Sequence, residues 1–146
     1  MLFRSDNARR ALELREKVSE RERFQIEARY YTNATGELEK AAETFKSWQQ
    51  TYPKDDAPYR GSAFVFTSLG DHEQALQERR EALRLEPNNG INYGALGVEY
   101  VALNQLDEAE AVYKQAEDLK LESEDLPFDR YVLAFQIGRA SCRERV

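Results

Sequence analysis

The stretch LGDHEQALQERREALRLEPNN, Leu69 to Asn89, decides the fold because the chain repeats its pattern. A matching stretch, TGELEKAAETFKSWQQTYPKD, occupies residues 35–55, and NQLDEAEAVYKQAEDLKLES occupies residues 104–123. Aligned at a period of 34, Gly36, Gly70 and Asn104 coincide, as do Ala41, Ala75 and Ala109. Pro53 and Pro87 coincide, with Leu121 in the third copy. Phe45 pairs with Tyr113, Trp48 with Ala82 and Ala116, and Tyr59 with Tyr93. Small residues held between large ones at a fixed period mean that one supersecondary unit is being repeated.

Each coincident position has a physical reading. Gly36 and Gly70 stand where one helix hands over to the next, a place that favours positive φ, and Asn104 is the usual non-glycine substitute. Glu37, Asp71 and Asp107 put carboxylates near the N-terminus of each following helix, where the dipole favours them. The alanines predict close helix crossings. Pro53 and Pro87 stop the second helix of their copies. Tyr93, Leu96, Gly97 and Tyr100 form an inward stripe in the first helix of copy three, and Tyr59, Ala63 and Phe66 form one in copy two. Copy one departs: Thr32 and Arg29 take the expected aromatic and small places, while Phe24, Ala28 and Tyr31 form a stripe one residue out of step. Upstream, Ala8, Ala11, Leu12 and Leu14 fit the second helix of a preceding copy, expected to end near Val18. Ser19 and Glu22 read as a capping box with Val18 as its staple residue.

This pattern resembles the tetratricopeptide repeat, a helix–turn–helix unit. The fold class expected is all-α, an α-solenoid of antiparallel helix pairs with about three full repeats and flanking helices. The aligned copies run 22–55, 56–89 and 90–123. As domains the reading is 1–18, the second helix of a preceding partial repeat; 19–55, 56–89 and 90–123, three repeats; and 124–136, the first helix of a truncated fourth. In that last helix Tyr131, Leu133 and Phe135 are expected to leave apolar surface open.

The resemblance further implies a concave face lined by the second, fifth, ninth, twelfth and thirteenth residues of each unit. These are Arg23, Ile26, Tyr30, Asn33 and Ala34, then Ala57, Arg60, Phe64, Thr67 and Ser68, then Ile91, Gly94, Val98, Val101 and Ala102. The groove expected to bind a partner is Ile26, Tyr30, Asn33, Arg60, Phe64, Thr67, Ile91, Val98 and Val101. Some members of the resembled family clamp a peptide's terminal carboxylate with Asn at the ninth place. Here Tyr30, Phe64 and Val98 stand there, which speaks against that clamp and for apolar anchors on an extended or helical peptide. The alternative is that Phe64 and Val98 pack on the neighbouring copy.

No catalytic, cofactor-binding or metal residues are expected. His72 is the only histidine and sits where a large half-buried residue packs; a metal site needs further His or Cys ligands. Glu78 with Arg79 and Arg80, and Glu110 with Lys114, read as solvated pairs. Gly90, Gly94 and Gly97 lack dinucleotide-binding spacing. The net charge of −6 and the alternating charges between Arg9 and Arg23 argue against nucleic acid as a partner. No run approaches the roughly 20 apolar residues of a membrane span, and MLFRSDNARR lacks a signal peptide's apolar run. A protein or peptide is the expected partner; oligomeric state is not legible.

The last ten residues, IGRASCRERV at 137–146, match the translation of a common sequencing adapter and follow no helical period. They are read as a non-native tail, so Cys142 carries no information. The tail's three arginines and one glutamate contribute a net +2, leaving −8 on the rest. The wording SERERFQIEARYYTNATGELEKAAETFKSWQQTYPKDDAPY, residues 19–59, resembles the repeat region that follows the kinase domain in certain bacterial serine/threonine protein kinases. That implies a non-catalytic fragment of a larger signalling protein, either an interaction module or a structural spacer and dimerisation segment. The location expected is cytoplasmic, or extracytoplasmic if such a parent is membrane-anchored.

Overall fold

The computed structural model describes residues 2–121 and 126–143, all of whose regular elements are helical. They are α1 (Leu2–Glu13), α2 (Glu20–Arg29), α3 (Leu38–Thr51), α4 (Ala57–Leu69), α5 (His72–Leu85), α6 (Gly90–Ala102), α7 (Leu106–Asp118) and α8 (Leu126–Arg143). The chain divides into two compact units, Met1–Asp71 and His72–Val146, so the division falls inside the second aligned copy.

In the first unit α1 ends at Glu13, five residues before the expected Val18, and a 3₁₀ turn covers Arg15–Lys17. Tightening explains the early stop: Leu14 N–H donates to Ala11 O at 3.1 Å, and the Arg15 guanidinium takes the Leu12 carbonyl at 3.0 Å. The capping box then forms as read. Ser19 N–H donates to Glu22 Oε2 at 3.0 Å, and Glu22 N–H returns to Ser19 Oγ at 3.4 Å. Val18 is no staple, because the residue it would meet one turn into α2 is Arg23.

Copy one's misfit has a structural cause. Phe24, Ala28 and Tyr31 lie 35 residues before Tyr59, Ala63 and Phe66, yet Gly36 lies 34 before Gly70. One extra residue must be absorbed between Tyr31 and Gly36. The structure absorbs it in a π-helical turn over Tyr30–Thr35. Thr32 Oγ1 donates to Ala28 O at 2.8 Å and Thr35 Oγ1 to Tyr31 O at 3.3 Å, bonding carbonyls that the widened turn leaves behind. The turn ends at Gly36, φ 72°. Ala28, Ala41, Phe45, Trp48 and Val65 form the core, with Phe24 and Phe45 each stacked 6.3 Å from Trp48.

In the second unit α6 lies against α5, α7 and α8. Its core is Leu76, Tyr93, Leu96, Tyr100, Ala109, Tyr113, Ala116 and Leu133. The hand-overs share one device: Gly70 (φ 80°), Asn104 (φ 57°) and Lys120 (φ 53°) are left-handed. The next N–H in each case reaches back five residues, Asp71 to Phe66 O, Gln105 to Tyr100 O and Leu121 to Ala116 O. This Schellman closure ends α7, where copy three has no proline. After α5, Asn92 Nδ2 donates to the Ala82 and Glu86 carbonyls and the Tyr93 hydroxyl donates to Pro87 O, which explains a buried asparagine.

Two expectations for α8 are corrected. The helix continues past Gln136 to Arg143, so residues 137–143 do follow a helical course; Ala and Arg propagate a helix readily and no proline interrupts it. Leu133 is not open but 4% exposed, because it falls 34 residues after Glu99 and 68 after Val65, a column buried throughout. Tyr131 and Phe135 remain exposed, at 68% and 56%.

Gly97 is required by packing. A Cβ there would stand 2.2 Å from Tyr113 Cε1, and Tyr113 is itself buried. Gly97→Ala should cost about 1–3 kcal/mol in urea unfolding. In a Tyr113→Leu background the same change should cost less than half as much.

Candidate functional site

Two adjoining cavities open on the first unit. The smaller, about 380 Å³, is lined from α2 and its π turn by Gln25, Ala28, Arg29, Thr32 and Asn33. Phe45 and Trp48 of α3 and Ala57, Arg60, Gly61 and Phe64 of α4 complete it. The larger, about 640 Å³, lies on the α1 side of α2; Ala8, Ala11, Val18, Ile26 and Tyr30 supply its apolar wall. Gln25, Arg29 and Asn33, spaced by four, line both.

Phe64 keeps 52% exposure, so packing does not consume it. Gly61 lets α4 lie close on α3: a Cβ there would meet the Phe45 ring at 2.3 Å. Arg60 Nε stands 2.7 Å from Asp56 Oδ2, an ion pair by distance that lacks hydrogen-bond alignment.

Asp55 holds the frame. Its Oδ2 accepts from Arg21 Nε at 2.6 Å and from Trp48 Nε1 at 3.1 Å, and its Oδ1 accepts from Arg21 Nη2 at 3.0 Å and Ala57 N–H at 3.2 Å. One carboxylate thus ties α2, α3 and the start of α4. The Arg21 hydrogen bonds, then the Ala57 N–H and the guanidinium charge, hold its pKa below the ordinary 3.8, against the opposing effect of burial. Tyr52 hydroxyl to Glu20 Oε2, 3.1 Å, adds a second tie between α3 and α2.

The sequence-based groove is partly redrawn. Ile26, Tyr30 and Asn33 line the larger cavity, and Arg60 and Phe64 line the smaller. The π turn shifts copy one: counting back 35 from Arg60 and Phe64 gives Gln25 and Arg29. Counting this way reaches Arg29 rather than Tyr30, and both residues line a cavity of the first unit. The signal was present in the out-of-step stripe. Thr67 instead donates its hydroxyl to Ala63 O at 2.9 Å. In the second unit Ile91 and Val98 are exposed on α6, at 56% and 44%, but Val101 is half-buried against the core.

On α5 His72 is half-buried, as expected, and polar contacts made from this helix reach α6. Glu99, 1% exposed, stands 2.9 Å through Oε2 from His72 Nδ1 and 3.8 Å through Oε1 from Arg79 Nε. Arg80 hydrogen-bonds the Tyr100 hydroxyl, at 3.2 Å through Nε and 2.9 Å through Nη2, and lies over its ring. Glu99 is the buried member of these contacts and holds the repeat position of Val65 and Leu133, whereas Arg80 itself stays exposed. Among the described residues no group of three or more His, Cys, Asp or Glu is placed to hold a metal ion, and no helix is long and apolar enough to cross a membrane.

Replacing Asp55 by Asn should cost about 1–2 kcal/mol above pH 5. A depressed carboxyl pKa stabilises the folded state above the unfolded value of 3.8, and the contribution disappears as pH falls through the lower folded value. Urea midpoints followed by Trp48 fluorescence should therefore fall more steeply in the parent than in Asp55→Asn from pH 4.5 to 2.

Comparison with known proteins agrees with this geometry. Residues 92–122 match the tetratricopeptide repeat family model. Over 84 residues, 57% of the chain, the sequence is 31% identical to Heat shock protein STI1 of Saccharomyces cerevisiae; the chain covers 14% of that protein's length. The Sgt2 TPR domain from Aspergillus fumigatus superimposes with a TM-score of 0.74 at 17% identity, over 85% of this chain and 83% of that one. The TPR2B domain of yeast Sti1, solved as a pHsp70 complex, gives 0.71 at 16% identity, over 80% and 97%. The fold class is thus the all-α, antiparallel helix-pair solenoid of tetratricopeptide proteins, and the third copy carries that repeat in its sequence.

Proposed function

We propose that the chain is a non-catalytic interaction module whose first unit binds a peptide along α2 and α4. The observation that carries this reading is the pair of adjoining open cavities with Phe64 exposed at the rim of one and an apolar wall of Ala8, Ala11, Val18, Ile26 and Tyr30 in the other. An open trough with apolar anchors and a polar ridge suits an extended or helical segment. A domain of the same fold, TPR2B of Sti1, was solved as a pHsp70 complex, which supports reading the fold here as a binding scaffold. Ile91 and Val98 offer the second unit a separate apolar patch on α6. The wording of residues 19–59 supports a larger bacterial signalling protein, of the kinase-linked kind, as the parent.

Panning the protein against random dodecapeptides displayed on phage should enrich a small set of related sequences. Phe64→Ala should weaken the enriched peptides about five- to thirtyfold in calorimetry, in line with loss of an aromatic anchor. A library that yields no enrichment contradicts the reading.

A second reading, a spacer that self-associates, is favoured by the exposed aromatic side chains of α8, Tyr131 and Phe135. It predicts a concentration-dependent dimer in sizing chromatography with light scattering, lost in Tyr131→Ser. A monomer at all concentrations counts against it.

A further inference from the structure

The smaller cavity of the first unit has a polarity that the reading of a simple apolar groove does not use. Its charged lining residues are both arginines, Arg29 at the end of α2 and Arg60 on α4. The neutral polar residues beside them, Gln25 and Asn33, carry amide donors. Phe45, Trp48 and Phe64 supply apolar surface in the same cavity. Arg60 pairs with Asp56 through Nε, so its two terminal nitrogens provide the planar fork that suits a carboxylate. The chain as a whole is acidic, with a net charge of −6, so two arginines in one cavity run against its overall charge.

Taking the peptide-binding reading as its basis, we infer that Arg29 and Arg60 receive the carboxylate of an internal Asp or Glu side chain of the bound peptide, next to an apolar residue that enters the larger cavity. An internal residue is favoured over a chain terminus by continuity. Gln25, Arg29 and Asn33 belong to both cavities, so a peptide lying at Arg29 has room to run on past it. The larger cavity has the volume, about 640 Å³, and the apolar wall for the neighbouring side chain. The site rests on the π turn in copy one: the shifted register brings Arg29 into the cavity lining that also holds Arg60.

The test uses the full chain and a random dodecapeptide library displayed at the N-terminus of a phage coat protein, so that no free carboxyl terminus is presented. Enriched sequences should share an acidic residue beside an apolar one. The best of them, synthesised as a C-terminal amide, should lose about tenfold or more in affinity when its acid is changed to the matching amide. Arg29→Gln and Arg60→Gln should each weaken the acidic peptide similarly and leave the neutral one unchanged, with Trp48 fluorescence confirming that both variants are folded. Equal binding of acidic and neutral peptides overturns the inference while leaving the peptide module intact. So does recovery of the neutral peptide's affinity by a free carboxyl terminus, which would make the terminus the true ligand. A library that enriches nothing removes the inference together with the module.

Discussion

Two aromatic rings lie where a single methyl group would stand. Tyr113 packs on Gly97 and Phe45 on Gly61, each within 2.3 Å of the place a Cβ would take. Around them Ala28, Ala41, Ala75, Ala82, Ala109 and Ala116 are fully buried. A helix of 13 or 14 residues has one apolar stripe and little stability alone. Crossing it closely with its neighbours is what hides that stripe, and only glycine and alanine at the crossing points permit the approach. The caps, the handover residues and the cavities are all arranged around these contacts.

Within the first unit that packing meets an extra residue. The chain keeps Phe24, Ala28 and Tyr31 on the buried face and widens one turn at Tyr30–Thr35 to return to register by Gly36. Threonine hydroxyls bond two of the carbonyls involved, which makes the irregular turn tolerable. The groove face inherits the shift, so Arg29 and Gln25 take the repeat places that Phe64 and Arg60 hold in copy two. Asp55 then fixes the three helices around the smaller cavity through four hydrogen bonds. A local irregularity of the backbone thereby sets the chemistry of the candidate site.

The second unit uses polarity differently. Glu99 holds the repeat position that Val65 and Leu133 hold in their own copies, with His72 and Arg79 near its carboxylate. Such a group is held by its partners and adds little net stability over a hydrophobic replacement. The lone histidine is thus engaged with a buried acid.

The sequence by itself determined the period, the helix pairs, the capping box at Ser19 and the left-handed residues at Gly36, Gly70 and Asn104. Each depends on a residue's own backbone preference or on neighbours within one turn, so one strand of text contains the cause. It also held the out-of-step stripe, but not its resolution. Only the tertiary structure decided that the extra residue is absorbed in a π turn and that Arg29 lines both cavities while Tyr30 lines the larger one alone. It likewise decided that Leu133 and Glu99 are buried and that α8 runs on to Arg143. These depend on which face a neighbouring helix covers, and that is settled by packing between residues distant in the chain.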